Sequence, residues 1–410
     1  MIKKSLYKIF YAATPQEFQA EYQSRFENED TIHLNLTIGR YPAFICQIPE
    51  LYQRMLSIER TNHKVDALCH ALPEIALEQF QERCLIDEIV LTNHIEGVHS
   101  TRKEISEILQ DLSKEHKRER FVGLVQKYVV LIKEERIPME TAQDIRKIYD
   151  DIFYEEIKAN DPEDLPDGEI FRKSAVSVYS AAGKEIHNGV SPEEKIISMM
   201  NQSLQFLNDE SYEYLIRIAV FHYLFGYIHP FYDGNGRTSR LISSYLLSQR
   251  LNNLIGYRIS YTIKEHITKY YEAFKVCNHV NNRGDLTPFV MMFLDIVDTS
   301  MKQLCASLQE KLQKLHHYVS QISQFPNAEQ GGMSELYSFL IQAALFSNIG
   351  ISQKELEQHF NASYNTVHVR LQKIPKSYLL VNRQGETAVL FTQSLRNRQK
   401  QIKKKKQIGK

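Results

Sequence analysis

Apolar residues recur at helical spacing along most of the chain. From Pro73 to Glu96 they stand mostly three and four residues apart, which predicts a helix with one buried face. Leu304 to Ile322 shows the same period and predicts a long helix, either a connector or the seam of a homodimer. Further helices are predicted near residues 118–135, 140–156, 192–208, 211–228, 236–252, 264–280 and 286–298. The pattern is typical of a mainly α protein.

Two stretches depart from this pattern. Within residues 1–50, only IHLNLTIGRYPAF near residues 32–44 gives a clear signal, that of a short extended piece. Between about 160 and 192, turn residues surround the alternating run Val176-Ser-Val-Tyr179. This second stretch predicts turns and a short hairpin.

A separate small unit is predicted after residues 323–332, where the apolar period stops and Pro and Gly appear. Helices near 333–346, 352–360 and 363–374 precede two β-rich runs around 383–385, an order that resembles a winged helix-turn-helix. The third helix would be the recognition helix, with candidate DNA contacts at Tyr364, Asn365, Thr366, His368 and Arg370. Small winged helices also serve protein contacts, so DNA and protein both stay open as partners.

Composition supports a globular protein with an uneven charge distribution. Of 410 residues, 43% are hydrophobic and 24% are charged, and the 16 Gly and 12 Pro fall below average usage. Fifty Lys and Arg residues balance fifty Asp and Glu residues over the whole chain. However, residues 396–410 contain eight of the basic residues and no acidic one, so residues 1–395 carry a net charge of −8. Such a tail is either a solvated end or an arm for a polyanion.

The cysteines and the N-terminus bear on the cellular compartment. Five cysteines lie far apart without a C-x-x-C pair, which argues against a disulfide framework or a zinc clamp and favours a reducing cytoplasm. After the charged Lys8, only the five residues Ile9 to Ala13 could form the apolar core of a signal peptide, which is shorter than such a core requires. No stretch approaches the ~18 apolar residues of a membrane helix. We therefore expect neither secretion nor a membrane partner.

The turn Gly234-Asn235-Gly236 stands directly before a predicted helix. Glycines let the backbone approach an anion closely, and the free N–H groups and dipole of a helix N-terminus attract one. Arg237 and Arg240 are three residues apart on the first helical turn, where their guanidinium groups can grip phosphate oxygens. These residues together predict a phosphate-binding loop.

Two side chains before this turn add chemistry. Asp233 offers an oxygen ligand to a magnesium ion, which typically takes one or two carboxylates and fills its shell with phosphate and water. His229 is a candidate general base, whereas His222, inside an apolar helix, is interpreted as a packed core histidine. Each feature alone is common in ordinary turns, but their conjunction predicts a functional site. The spacing fits neither a Rossmann fingerprint nor a P-loop.

The stretch HPFYDGNGRTSR, residues 229–240, resembles the signature of the Fic (fido-fold) proteins at every defining position. The resemblance implies a helical Fic core with a short β-hairpin flap. It also implies transfer of AMP from ATP, with Mg2+, to a hydroxyl side chain of a target protein, with release of pyrophosphate. The implied roles are a base at His229, a loop anchor at Phe231, a metal ligand at Asp233, an anion hole at Gly234, Asn235 and Gly236, and phosphate ligands at Arg237 and Arg240.

Two other stretches are similar to parts of the same family. Residues 171–187 resemble the flap, which would align the target segment by β-strand addition. The segment Tyr270-Tyr271-Glu-Ala-Phe, with Asn278, resembles the part that covers the adenosine. Tyr271 and Asn278 are the candidate adenosine contacts.

The run Thr92-Asn-His-Ile-Glu96-Gly97 resembles the inhibitory motif of the family. Thr92 and Glu96 are four residues apart and share one helix face, and Gly97 is suited to end the helix. A carboxylate near a helix C-terminus opposes the dipole and favours a cationic partner. The resemblance pairs Glu96 with Arg240 and implies an enzyme that inhibits itself.

The predicted domains are an N-terminal helical region with the inhibitory helix (1–110), a Fic core (111–300), a connector (301–332), a winged helix-turn-helix (333–395) and a basic tail (396–410). The favoured function is a self-inhibited protein adenylyltransferase in the cytoplasm. The alternatives are a nucleotide-sensing DNA-binding regulator and an enzyme that both adds and removes AMP.

Overall fold

The computed structural model describes residues 4–110, 112, 120–132, 136–179, 185–347, 350–381 and 389–390. Within these ranges the α-helices are α1 Leu6–Phe10, α2 Pro15–Phe26, α3 Pro49–His70, α4 Glu74–Ile95, α5 Arg102–Gln110, α6 Val122–Ile132, α7 Ala142–Asn160, α8 Glu193–Asn208, α9 Tyr214–Ile228, α10 Asn235–Ser248, α11 Ile259–Glu265, α12 Ile267–Asn278, α13 Thr287–Val319, α14 Met333–Phe346, α15 Gln353–Phe360 and α16 Tyr364–Gln372. The strands are β1 Ile32–Ile38, β2 Tyr41–Ile45, β3 Ser177–Tyr179, β4 Glu185–Asn188, β5 Leu380–Val381 and β6 Val389–Leu390. The predicted mainly α class is confirmed.

The described residues cluster into two units. One contains residues up to 63 together with 85–304, and the other contains 64–84 and the residues from 305 onward. The predicted basic tail (396–410) lies outside the described residues. None of the helices described here combines the length and the apolar character that crossing a bilayer requires.

Helix α9 is the central helix of the first unit. Every residue from Leu215 to Phe225 is buried, and α9 packs against α8 and α10. A helix that is apolar on all sides is expected inside a protein. Because α9 and α10 are both buried, the short loop that joins them is anchored at both ends.

The N-terminal region of this unit contains more helix than the apolar pattern indicates. α1 and α2 are both absent from the sequence prediction. α2 begins with a capping box, in which Thr14 Oγ1 accepts from the Glu17 N–H at 3.3 Å and the Glu17 carboxylate accepts from the Thr14 N–H at 2.8 Å. The extended piece predicted near residues 32–44 is confirmed as the antiparallel pair β1–β2.

Two predicted helix boundaries are wrong. The helix expected at 264–280 is divided into α11 and α12 at His266, whose N–H donates to the carbonyls of both Thr262 and Ile263 and ends α11. Conversely, the helices expected at 286–298 and from Leu304 onward are one helix, α13. No Gly or Pro follows Pro288 within α13, so nothing in its sequence interrupts it.

The second unit contains the predicted C-terminal helices. α14, α15 and α16 confirm the helices expected near 333–346, 352–360 and 363–374, and β5 pairs with β6 in antiparallel register. Ser352 Oγ accepts from the Glu355 N–H at 3.2 Å in the capping box that begins α15. Residues 382–388, between the two strands, lie outside the described part. The winged-helix assignment stays a prediction.

Removal of one partner from a buried ion pair should strongly destabilise the first unit. Arg25 and Asp285 are 3.1 Å apart and only 4% and 0% exposed. We expect Arg25→Met to lower the free energy of unfolding by ~3–5 kcal/mol, because Asp285 is left as an unpaired buried charge. Urea unfolding followed by circular dichroism measures this loss. The matched control is Arg102→Met, which removes a 61% exposed partner of Asp87 and should cost ~0–1 kcal/mol; equal losses would contradict the prediction.

Candidate active site

The loop between α9 and α10 is held in place by its own side chains. The Asn235 amide accepts from the Phe231 N–H at 3.0 Å and donates to the Phe231 carbonyl at 2.8 Å. Phe231 is fully buried, and its ring stacks on Tyr149 with 3.6 Å between the ring centroids. Thr238 Oγ1 donates to the Gly234 carbonyl at 2.9 Å. These contacts fix the loop without a ligand.

The N-terminus of α10 faces a carboxylate. Gly234 is the N-cap, with φ +77°, a conformation that suits glycine. The first N–H groups of any α-helix lack an intrahelical acceptor. At Gly236 a Cβ atom would lie 2.2 Å from Glu96 Oε1. The carboxylate of Glu96 therefore lies against the first turn of α10, where the absence of a side chain makes room for it.

Arg240 joins α10 to the end of α4. It is 1% exposed, and its Nη2 lies 2.7 Å from Glu96 Oε1. Its Nε donates to Thr92 Oγ1 at 2.8 Å and its Nη2 donates to the Thr92 carbonyl at 3.1 Å. Burial by itself would lower the pKa of Arg240, but Glu96, together with Tyr270 and Tyr271, more than compensates, so this pKa is raised. The structure thus brings Thr92, Glu96 and Arg240 together, and Gly97 follows with φ +76°.

His229 lies at the end of α9 with a left-handed backbone. Its φ is +52° and its N–H donates to the Phe225 carbonyl. Burial lowers the pKa of His229 to about 4; the charge of Glu96 opposes this shift and the charge of Arg172 adds to it. The side chain is only partly exposed. At neutral pH the ring is therefore uncharged and has a nitrogen that can accept a proton.

Asp233 and Arg237 form an ion pair beside the loop. Asp233 is 51% exposed and lies 2.8 Å from Arg237 Nη2, whereas Arg237 is 1% exposed. Arg237 Nη1 also lies 3.1 Å from Glu156, and its guanidinium covers the ring of Phe153 at 4.4 Å. Arg237 is thus a buried cation with two carboxylate partners.

The donor set fits a metal ion that arrives with a nucleotide. Asp233 is a single exposed carboxylate, and magnesium typically combines one or two carboxylates with phosphate oxygens and water. Across the described ranges, no group of three or more His, Cys, Asp or Glu side chains could hold an ion by itself. A metal here would need the phosphates as ligands.

The two candidate adenosine contacts differ in their surroundings. Tyr271 is partly buried near Glu96 and Arg240; burial, followed by the charge of Glu96, raises its pKa. Asn278 instead accepts a hydrogen bond from the Tyr223 hydroxyl at 2.7 Å. The structure thus places Tyr271 near the Glu96–Arg240 pair, whereas the Asn278 oxygen is already hydrogen-bonded to Tyr223.

His222 is a buried core histidine, as predicted. Its Nδ1 lies 2.7 Å from Ser243 Oγ and its Nε2 lies 2.7 Å from the Tyr270 hydroxyl. Burial lowers the pKa of His222 to about 3. This histidine links α9, α10 and α12 behind the loop.

Three residues that the sequence did not single out support the loop. Tyr149 stacks on Phe231, Glu156 pairs with Arg237, and Arg172 donates to the carbonyl of His229 at 2.9 Å. Tyr149 and Glu156 are seven residues apart and share one face of α7. A search for polar residues on the apolar face of a helix would therefore find both.

The predicted hairpin lies next to this site. β3 pairs with β4 in antiparallel register, with Ser177 opposite Asn188. The His187 ring is 2.7 Å from the Tyr227 carbonyl near the end of α9. The hairpin predicted from the alternating pattern is confirmed, and residues 180–184 lie outside the described part.

Comparison with known proteins agrees with this geometry. Residues 140–247 match the model of the Fic/DOC family. A Fic family protein from Desulfovibrio desulfuricans G20 shares the fold, with a TM-score of 0.50 and 20% identity over 81% of this chain and 90% of that chain. The chain therefore contains a Fic domain.

Curated relatives are similar over shorter stretches. "Protein adenylyltransferase Fic" of Aedes aegypti is 40% identical over 83 residues, which are 20% of this chain and 15% of that protein. The protein of the same name from Drosophila grimshawi is 29% identical over 149 residues, 36% of this chain and 28% of that protein. The match thus spans less than a third of either relative.

Buried His222 should make stability depend on pH. Its pKa is about 3 in the folded protein and ~6.5 in the unfolded chain, so between these values only the unfolded chain binds the proton. We expect protonation of His222 in the unfolded chain to lower the free energy of unfolding by ~1 kcal/mol for each unit by which the pH falls from 6 to 4.5. Urea unfolding of wild type and His222→Gln over this range measures it. The variant should show the shallower slope, and identical slopes would count against the prediction.

Proposed function

We propose that this protein is an adenylyltransferase that transfers AMP from ATP to a Ser, Thr or Tyr hydroxyl of a target protein and releases pyrophosphate. The proposal depends on one observation: an uncharged histidine lies beside a helix N-terminus that can bind an anion. A phosphate sensor needs that N-terminus but has no need for a base next to it. The names of the curated relatives support the same activity.

The residues have distinct tasks in this reaction. The oxygen of the target hydroxyl attacks the α-phosphorus of ATP while His229 takes the hydroxyl proton, and the bond from the α-phosphorus to the α,β-bridging oxygen breaks. The N–H groups of α10 stabilise charge that develops on the phosphate oxygens. A magnesium ion held through Asp233 would neutralise part of that charge. Arg237, which Glu156 holds in place, would orient Asp233. Its own guanidinium would be a second positive charge, beside the magnesium ion, near the β-phosphate.

We further propose that Glu96 inhibits the enzyme. Glu96 lies against Gly236 and pairs with Arg240, so it meets both groups that a terminal phosphate would need. Phosphate is an acceptor for the same two donors, hence nucleotide and Glu96 compete for them. ATP that binds while Glu96 stays in place has its γ-phosphate displaced and its α-phosphorus out of line with the attacking hydroxyl.

Removal of the Glu96 carboxylate should activate transfer. We expect Glu96→Gly to label proteins of a cell lysate from α-labelled ATP and magnesium at least ~10-fold faster than wild type, as relief of about 1.4 kcal/mol of misalignment would give. Initial rates of label incorporation measure this. Glu78→Gly, at an exposed position of the same helix, is the matched control for the effect of glycine on α4 and should match wild type. Glu96→Gly combined with His229→Ala should lose the label and still bind ATP.

Other outcomes decide between the alternatives. Equal labelling by wild type and Glu96→Gly would refute self-inhibition. ATP binding without any labelling would favour a nucleotide-sensing regulator. Release of AMP from prelabelled protein by wild type, and its loss in Glu96→Gly, would favour the enzyme that both adds and removes AMP.

A second partner, DNA, is favoured by the charge and exposure of the C-terminal unit. Residues 358–410 contain twelve Lys and Arg but one acidic residue, Glu386. Tyr364, Asn365 and Thr366 are exposed on α16. Arg370 is less available, since it packs beside Gly332 and 5.9 Å from the centroid of the Phe360 ring. We propose that α16 and the tail contact DNA, the helix at the bases and the tail at phosphates.

Binding of duplex DNA should be strong at low salt and should weaken steeply with added salt. We expect Lys373→Glu, at the end of α16, to weaken binding and to reduce the slope of log K against log[salt] by about 1 or more. An electrophoretic mobility shift at several salt concentrations measures both. Lys354→Glu, at an exposed site on α15, is the control for net charge and should have a smaller effect. Absence of any shift at low salt would leave a protein partner for this unit.

The cytoplasmic location and the homodimer stay predictions. The first rests on the spacing of the cysteines, and the second on the apolar period of α13. Size-exclusion chromatography with light scattering tests the second directly.

A further inference from the structure

Arg172 is a buried cation that, among the described residues, donates its side-chain hydrogen bonds only to main-chain carbonyls. It is 0% exposed. Its Nε donates to the His229 carbonyl at 2.9 Å and its Nη1 donates to the Ser174 carbonyl at 2.5 Å. Its Nη2 donates to the carbonyls of Val190 at 2.9 Å and Ile228 at 3.4 Å. One side chain thus joins both ends of the hairpin to the residue proposed as the base.

Burial of this charge is unusual because none of the carboxylates whose side chains the structure describes forms an ion pair with Arg172. Burial lowers the pKa of its guanidinium. Desolvation of a cation is costly unless its donors are satisfied. A shorter apolar residue would avoid that cost if the position needed only to be filled. The carbonyls that Arg172 binds are therefore the feature to explain.

The His229 carbonyl has a specific need for this donor. His229 ends α9 in a left-handed conformation, with φ +52° and ψ +63°. A carbonyl at a helix C-terminus has no intrahelical donor. Because the His229 N–H already donates to the Phe225 carbonyl at 2.9 Å, Arg172 completes the main-chain hydrogen bonds of this residue. Both peptide groups that flank the His229 Cα are then fixed, and so is the direction of its Cα–Cβ bond.

Gly189 shows that the fit between these groups is tight. A Cβ atom at Gly189 would lie 2.4 Å from Arg172 Nη2 and 3.2 Å from His229 Cβ. The backbone of the hairpin thus approaches both side chains at once. Any change in the hairpin backbone near Gly189 reaches Arg172 and His229 directly.

We propose that Arg172 is a positioning residue for AMP transfer, and that it couples the main chain of His229 to the hairpin that receives the target. The proposal rests on the transfer reaction proposed above. Arg172 contacts neither ATP nor the hydroxyl in this role. Its planar guanidinium donates from three separate nitrogen atoms, whereas a lysine ammonium donates from a single nitrogen and cannot reach all of these carbonyls.

The test separates the geometry of Arg172 from its charge. In the Glu96→Gly background we expect Arg172→Lys, which keeps the charge, to slow labelling of lysate proteins by ~10–100-fold, as a misplaced catalytic group does. Its dissociation constant for magnesium-ATP should stay within about twofold, because the phosphate loop is intact. Gly189→Ala should slow labelling in the same direction. Arg146→Lys is the matched control: Arg146 donates to the Ile170 carbonyl at 2.8 Å and has no contact with His229, so its rate should be unchanged.

A second measurement does not depend on transfer. Titration of 13C-labelled histidine by NMR reports His229 in each variant, with His229→Gln for assignment. We expect altered His229 resonances in Arg172→Lys and Gly189→Ala but not in Arg146→Lys. In Arg172→Gln, which lacks the charge, the pKa of His229 should also rise. His229 resonances that stay unchanged in folded Arg172→Lys and Gly189→Ala would overturn the proposal, as would a labelling rate within twofold of the parent. If no variant transfers AMP but the resonances shift as expected, the positional role stands and the proposed reaction fails.

Discussion

The first turn of α10 requires an acceptor, and the remainder of the site follows from that requirement. Its first N–H groups have no acceptor within the helix, and the missing side chain of Gly236 leaves room for an anion beside them. The chain supplies its own anion in Glu96, which also neutralises the buried Arg240. A carboxylate and a phosphate present similar oxygens to these donors. In the proposed enzyme, the same physical demand would hold Glu96 in place and would create the affinity for a nucleotide.

Burial sets the chemistry on either side of that turn. Burial keeps two histidines, one within α9 and one at its end, uncharged at neutral pH. His222 is fully buried and uses both ring nitrogens to hold helices together, whereas His229 is partly exposed beside the loop and Arg172 restrains its main chain. The surroundings of the two rings thus separate a structural histidine from the one proposed as the base.

The sequence predicted the features that depend on local pattern. The position of the loop between α9 and α10, the helices on both sides of it, and the hairpin before it follow from glycine placement and apolar period. The pairing of Glu96 with Arg240 was expected from resemblance and is present in the structure. Arg172 could not be found in this way, because its partners are carbonyl groups, which every residue has. α2 was missed although Thr14 and Glu17 form a capping box, since its apolar face is narrow.

The presence of Glu96 and Arg240 on one chain has a consequence for how the proposed enzyme would be switched on. Because both groups belong to one chain, the local concentration of the carboxylate at Arg240 is fixed by the fold and is independent of how much protein the cell makes. Dilution, proteolysis of a separate inhibitor or an imbalance in expression cannot release this contact. Activation must instead come from a ligand or partner that favours a different position of the last turn of α4, and its effect is limited by its differential affinity for the two positions.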